Sequence, residues 1–389
     1  MRKTRIEPGF LLALLIPVIV IAPLLANIGV LFDTADMTVH LHRSHAMTLM
    51  MESGNFYPRW IPYLRMGYGY PIFNFYAPGS VTITSLLHLF GMHIVTAGNL
   101  TVILCWIFGA GGVYRLARQF LPVTGALLAV TLWSYAPSLL YETWWQGSLA
   151  QTVSTSMMPW LIFFLVRTIR QPNLRDSGWV ALTFAGVILT HTPTMYITAL
   201  FIGMLAFLMP VWLYRQQRRD LFRAWVYAGI SLSFGIGLSA MFLLPLLAEL
   251  PAVKIQSGIS GTENFLRNQF LNPAELFMFP RLIDVTDITL VFPRSFGLIG
   301  GVLAATGILA LSVRRRIGLA LMFAGGIGFI VFMTQDVSFD VWLMIPGFRN
   351  LRYPERLLRM GALLIALAGG ASLLLIPVRW RQGVLILAM

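Results

Sequence analysis

Charge is scarce in this chain. Only 11% of its 389 residues are charged and only 15 are acidic. A soluble fold cannot cover its surface with so few charges, which excludes a soluble globular domain. Cysteine is nearly absent as well. The one residue, Cys105, lies in an apolar run, so an intramolecular disulfide is impossible and a cysteine-based metal site is not expected. Low-complexity tracts and internal repeats are missing, and the basic connectors are too short to form a cytoplasmic enzyme.

What the chain has instead is apolar length. Hydrophobic residues make up 57% of it, and the mean hydropathy is +0.76. That composition predicts an all-α polytopic membrane protein. Candidate spans fall at 10–32, 94–114, 122–141, 148–166, 174–190, 194–213, 224–248, 295–313, 317–334 and 357–377. Residues 178–214 could form one long helix or two. The basic connectors on either side must share a face, which requires two spans, broken at His191-Thr192-Pro193. The apolar residues 383–389 are too few to cross and read as the start of an eleventh span. The whole of 1–389 is thus expected to form a single transmembrane domain of about ten or eleven helices.

The net charge of +13 does not point to nucleic acid, because of where it falls. Basic residues cluster in 2–5, 115–118, 167–175, 215–223, 314–316 and 379–381, with only Glu7, Asp176 and Asp220 as acids on the same side. Positive charge on one side places the N-terminus in the cytoplasm. The N-terminal run lacks a small-residue cleavage site and reads as an uncleaved first span, not a signal peptide. The stretches 33–93, 250–294 and 335–356 then lie outside. The second of these, with Lys254, Glu263, Asp284, Asp287 and Arg294, is long enough to act as a lid.

The first outer loop, 33–93, concentrates the chemistry. Asp33, Asp36, His40 and Arg43 would share an arc of about 80° on a helix. The alternative is that an aspartate caps the helix and Arg43 pairs with it. Downstream stand Gly54-Asn55-Phe56-Tyr57-Pro58-Arg59-Trp60 and Gly67-Tyr68-Gly69-Tyr70-Pro71-Ile72-Phe73-Asn74-Phe75-Tyr76. An aromatic belt at the headgroups accounts for single rings, but not for Gly and Pro every few residues. That spacing builds a fixed, non-helical loop able to hold ring faces against a sugar.

These motifs resemble the GT-C superfamily of integral-membrane glycosyltransferases. Within it they resemble bacterial membrane proteins labelled 6-pyruvoyl-tetrahydropterin synthase-related. Asp36, His40 and Arg43 match an Asp-x3-His-x2-Arg pattern. Gly54–Trp60 and Gly67–Tyr76 match the two aromatic motifs, and Leu351–Arg356 echoes a Phe-Pro-x-Arg. Gln146 and Gln151 stand where the family often has Arg and Glu.

The resemblance implies transfer of a sugar from a polyprenyl-phosphate donor to an extracytoplasmic acceptor in the bacterial plasma membrane. It implies an acid of the first outer loop as base, or as ligand to a divalent cation such as Mg or Mn. A phosphate leaving group needs no proton, so one carboxylate suffices, with cations to hold the phosphate. Asp36 is the expected base, with Asp33 beside it as neighbour or metal ligand; His40 orients Asp36 or supplies a second metal bond, against the commoner structural role of a lone histidine. Substrate contacts are expected from Arg43, Arg59, Tyr68, Tyr70 and Tyr76. Arg352 and Arg356 suit the phosphate, because the guanidinium fork makes bidentate contacts. For Arg349 and Arg359, interfacial anchoring weighs equally. His191 lines the cavity or simply satisfies a helix end, and Glu142 and Glu249 are expected to be solvated at span ends. Two rival classes remain: a transporter or flippase of a lipid-linked substrate, and an inactive GT-C-like scaffold.

Overall fold

The computed structural model describes residues 7–214, 216–253, 263–279 and 294–388. Among them the regular structure is all helical, with one isolated antiparallel bridge between Ile61 and Tyr70 and no strand. Five helices are long and apolar enough to cross a membrane, or up to eight if each bent pair counts as one span. The chain is therefore an all-α membrane protein with several crossings.

Proline explains where expected spans break. The first becomes Pro8–Leu15 and Val18–Ala26, bent by 52° around Pro17. The third becomes Val123–Ser134 and a segment opening at Pro137, bent by 45°. The expected span 224–248 is also interrupted, at Ser239 and without a proline at the break, between Arg218–Leu238 and Ala240–Glu249. The expected break at His191 is present, separating Leu174–Thr190 from Thr192–Tyr214. At the end of the chain lies a short helix, Arg381–Ala388.

The chain gathers into two compact units. The first takes the described parts of Met1–Val20, Val113–Tyr141 and Lys254–Met389. Its centre is the Leu358–Gly370 helix, which packs on Val123–Ser134 and Leu298–Val313. Small residues let the backbones close up, as in lipid, where water drives no helix association. A Cβ on Gly125 would stand 2.7 Å from the Gly370 carbonyl, and one on Gly307 would overlap the Ala368 carbonyl.

The second unit comprises Ile21–Gly112 and Glu142–Val253. Here Leu149–Arg170 packs on Leu174–Thr190, which packs in turn on Arg218–Leu238. Leu161, Leu165, Val180, Phe184 and Ile188 fill the seam between them. Asn173 caps the second of these helices. Its side chain accepts the Asp176 amide at 2.8 Å and donates to the Asp176 carboxylate at 2.9 Å, while Arg167 holds the same carboxylate at 3.0 Å. Two further helices of this unit, Met37–Glu52 and Gly79–Leu89, lie within the stretch 33–93 expected to form the first outer loop. They are cross-tied by the Ser85 hydroxyl on the Ser44 carbonyl at 2.8 Å and the Thr48 hydroxyl on the Ser85 carbonyl at 3.4 Å.

Candidate functional site

The site is built from the start of the Met37–Glu52 helix. A π-helix, Tyr141–Gln146, ends with its last carbonyls unpaired within the helix, and these accept from the chain just before Met37. Trp145 O takes the Ala35 amide at 3.0 Å, and Gln146 O takes the Asp36 amide at 2.7 Å. Asp36 occupies the cap position, but its carboxylate makes no capping hydrogen bond, and the residue is exposed. The backbone of Asp36 is thus clamped by a neighbouring segment without enlisting its side chain as the cap.

Asp33 corrects the expected stripe. It lies in the non-helical stretch before the helix, because this stretch must turn from the first span onto the π-helix carbonyls. His40 and Arg43 are on the helix. His40 is only 3% exposed, its Nδ1 lies 3.5 Å from the Tyr76 hydroxyl, and Arg43 sits 4.4 Å above the Tyr76 ring. Desolvation, with the Arg43 charge adding to it, drives the His40 ring from its ordinary 6.5 down to about 3. His40 is therefore a neutral ring directed at Tyr76. Among the described residues no three of His, Cys, Asp and Glu gather into one group. His40, directed at Tyr76, is turned away from the role of further ligand beside Asp33 and Asp36.

The aromatic loop folds as a pinned turn. Ile61 and Tyr70 exchange backbone hydrogen bonds at 3.0 Å each way, and Arg65, Met66, Gly67 and Gly69 between them all have positive φ. The Trp60 indole covers Gly69 so closely that no Cβ fits there. Tyr76 joins His40 and Arg43, and Tyr70 is half-buried under Arg65 at 5.1 Å. By contrast Tyr68 is 87% exposed, and Arg59 is exposed too. The loop is tethered to the Ala240–Glu249 helix. Asn74 donates to Glu249 at 2.7 Å, and the Tyr57 hydroxyl to the Met241 carbonyl at 3.3 Å.

Other polar residues stand differently from expectation. Glu142 is only 6% exposed, because the π-turn rotates it inward. Gln151 donates to Gln146 at 3.2 Å. His191 is buried at its helix break, where Nδ1 accepts the Thr194 amide at 3.3 Å and meets the Thr194 hydroxyl at 2.8 Å. This is the helix-end role weighed for it above. Leu24, Phe32, Thr34, Met37, Asn99, Val102, Thr143 and Trp144 line a recess flanking Asp36; its volume, about 10 Å³, holds a water and not a sugar.

In the other unit, Arg352 has a positive φ of 62°. Arg356 donates to the Leu351 carbonyl at 2.7 Å and lies 5.0 Å from the Tyr353 ring, while Glu355 pairs with Arg294 at 2.9 Å. Arg359 is 2% exposed, which sits against interfacial anchoring, one of the two readings weighed equally for it. In the expected lid, Glu263–Arg267 and Pro273–Leu276 are helical, whereas Lys254, Asp284 and Asp287 lie outside the described residues.

Comparison with known proteins adds one positive finding. No curated protein matches the chain. A family model described as 6-pyruvoyl-tetrahydropterin synthase related domain, membrane protein, matches residues 73–389. The match includes Tyr76, His191, Arg352 and Arg356, and begins after Asp33, Asp36, His40, Arg43, Arg59, Tyr68 and Tyr70. With most of its length so matched, the chain belongs to the 6-pyruvoyl-tetrahydropterin synthase related family of membrane proteins.

Proposed function

We propose that this protein is a glycosyltransferase that moves a sugar from a polyprenyl-phosphate donor to an acceptor outside the cytoplasm, with Asp36 as general base. The supporting observation is the start of the Met37–Glu52 helix, where both amides preceding Met37 are held by π-helix carbonyls and the Asp36 carboxylate does not cap the helix. A base must be fixed in place while its oxygens face the acceptor hydroxyl. The reaction asks little else of acid–base chemistry. The acceptor oxygen bonds to the anomeric carbon, its proton passes to Asp36, and the phosphate leaves with the electron pair of the broken bond. His40, one helical turn after Asp36, gathers with Tyr76 and Arg43. Arg352 and Arg356 are the proposed phosphate contacts, and the plasma membrane with a cytoplasmic N-terminus is the proposed setting. Asp36→Asn in lipid nanodiscs should lower turnover at least 100-fold, about 2.7 kcal/mol of barrier, with the unfolding midpoint kept. Wild-type turnover by a folded Asp36→Asn protein would remove the proposed base.

A second reading, a transporter for a lipid-linked substrate, draws on the three bent helix pairs, since broken helices are where transporters place their sites. Donor-dependent product formation separates the two: a transferase makes a new glycosidic bond, whereas a transporter only relocates the substrate.

A further inference from the structure

Away from Asp36, the outer-loop helices bring two other histidines together. His45 on Met37–Glu52 and His88 on Gly79–Leu89 place Nδ1 and Nε2 3.2 Å apart, with the rings tilted at 50°. Neither position depends on a flexible segment. His45 follows Ser44 directly, and His88 lies three residues, about one helical turn, after Ser85. Ser44 and Ser85 are the buried pair that ties the two helices together. The second nitrogen of His88 is occupied: Nδ1 donates to the Met92 carbonyl at 2.7 Å. That bond sets the tautomer, so His88 Nε2 carries a lone pair directed at His45. A carbonyl holding the distal N–H of an imidazole is the usual outer contact of a metal-ligating histidine. The spacing fits as well. Two nitrogens at 2.0–2.1 Å from a tetrahedral Zn²⁺ stand about 3.3 Å apart.

We propose that His45 and His88 form a two-histidine chelate for a borderline divalent transition ion, such as Zn²⁺, Ni²⁺ or Cu²⁺. Without metal, His45 Nδ1–H donates to His88 Nε2. On binding, the His45 proton moves through water to its own Nε2, and the ion takes both facing lone pairs. Among the described residues no third His, Cys, Asp or Glu gathers with this pair, so the remaining positions go to water or to an incoming ligand. Imidazole preference makes the site indifferent to Mg²⁺ and Ca²⁺, which seek oxygen.

The experiment uses the full chain, free of any purification tag, in nanodiscs after chelation. Titration calorimetry with Zn²⁺ and Ni²⁺ should show one saturable site per chain, and Mg²⁺ none. His45→Gln and His88→Gln should each weaken binding at least tenfold, while His42→Gln, exposed on the same helix, should leave it unchanged. Zn²⁺ should also raise the thermal midpoint of the wild type and not of either variant, which reports on folded protein. Absence of saturable binding, or equal binding by all four proteins, overturns the proposal and leaves an ordinary His–His hydrogen bond.

Discussion

His40 should make folding stability acid-sensitive in a calculable way. The ring is 3% exposed and is held neutral down to about pH 3, whereas in the unfolded chain it titrates near its ordinary 6.5. Below about pH 6.5 the unfolded state therefore takes up a proton that the folded state refuses. The sign follows: stability is intact above this range and falls as the pH drops. Between about pH 7.5 and pH 5 one such group costs about 2 kcal/mol, from RT ln(1 + 10^(6.5 − pH)). This window ends well above the folded-state value, so the size of the effect does not depend on where that value lies. The assay is unfolding by denaturing detergent at a series of pH values, comparing wild type with His40→Gln, which does not titrate. All other titrating groups are common to the two proteins, so the difference in slope isolates His40. The variant should lose about 2 kcal/mol less across the window. Parallel curves for the two proteins would show that His40 is not buried as a neutral ring, and its grouping with Tyr76 and Arg43 would need to be redrawn.

Two further substitutions test the packing. Gly307→Leu drives a side chain into the Ala368 carbonyl and should cost about 1–3 kcal/mol, whereas Gly229→Ala, with nothing within 4 Å of its Cβ, should be neutral or stabilising by up to about 1 kcal/mol; equal midpoints for the two would refute the close approach. Asn173→Ala removes the acceptor for the Asp176 amide and one partner of the buried Asp176 carboxylate, and should lower the same midpoint by about 1–2 kcal/mol.

Apolar spans and the break at His191 were legible because they follow from local rules, whereas the interruptions near Pro17, Pro137 and Ser239 were not foreseen. Apolar length gives a crossing, and His191-Thr192-Pro193 ends one helix and starts another wherever the segment sits. The inward turn of Tyr76 was half legible. The Gly and Pro spacing announced a fixed loop, but not which rings it would bury. The failures share a physical cause. Asp33, His40 and Arg43 share a stripe only if the helix starts before Asp33, and the start was decided by carbonyls more than a hundred residues away, at Trp145 and Gln146. Glu142 looked solvated because it ends a span, yet a π-turn adds a residue to the ring and changes which side faces in. Its flanks, Tyr141 before and Trp144-Trp145 after, were the available signal, since an acid among so many rings is seldom left in water. Arg359 likewise follows an interfacial motif and reads as an anchor until the surrounding helices are counted.

The clamp on Asp36 also suggests a test that separates position from chemistry. Gly147 ends the π-helix with φ +60°, and a Cβ added there would overlap the Thr34 side chain and come within 3.1 Å of the Met37 Cβ. Gly147→Ala should therefore push the Thr34–Met37 turn away from the carbonyls that hold the amides of Ala35 and Asp36. It should also bear about 1 kcal/mol for a left-handed alanine. A displacement near 1 Å at a catalytic group lowers turnover about 100-fold, so the loss in rate should far exceed the loss in stability. Removing the obstacle provides the control. In the double variant Gly147→Ala with Thr34→Gly, which removes both the Thr34 hydroxyl and its Cβ, the turn can settle back, and turnover should recover by at least tenfold while the cost of the left-handed alanine remains. If Gly147→Ala works at the wild-type rate, or the double variant is no faster than the single one, the placement of Asp36 does not depend on this clamp.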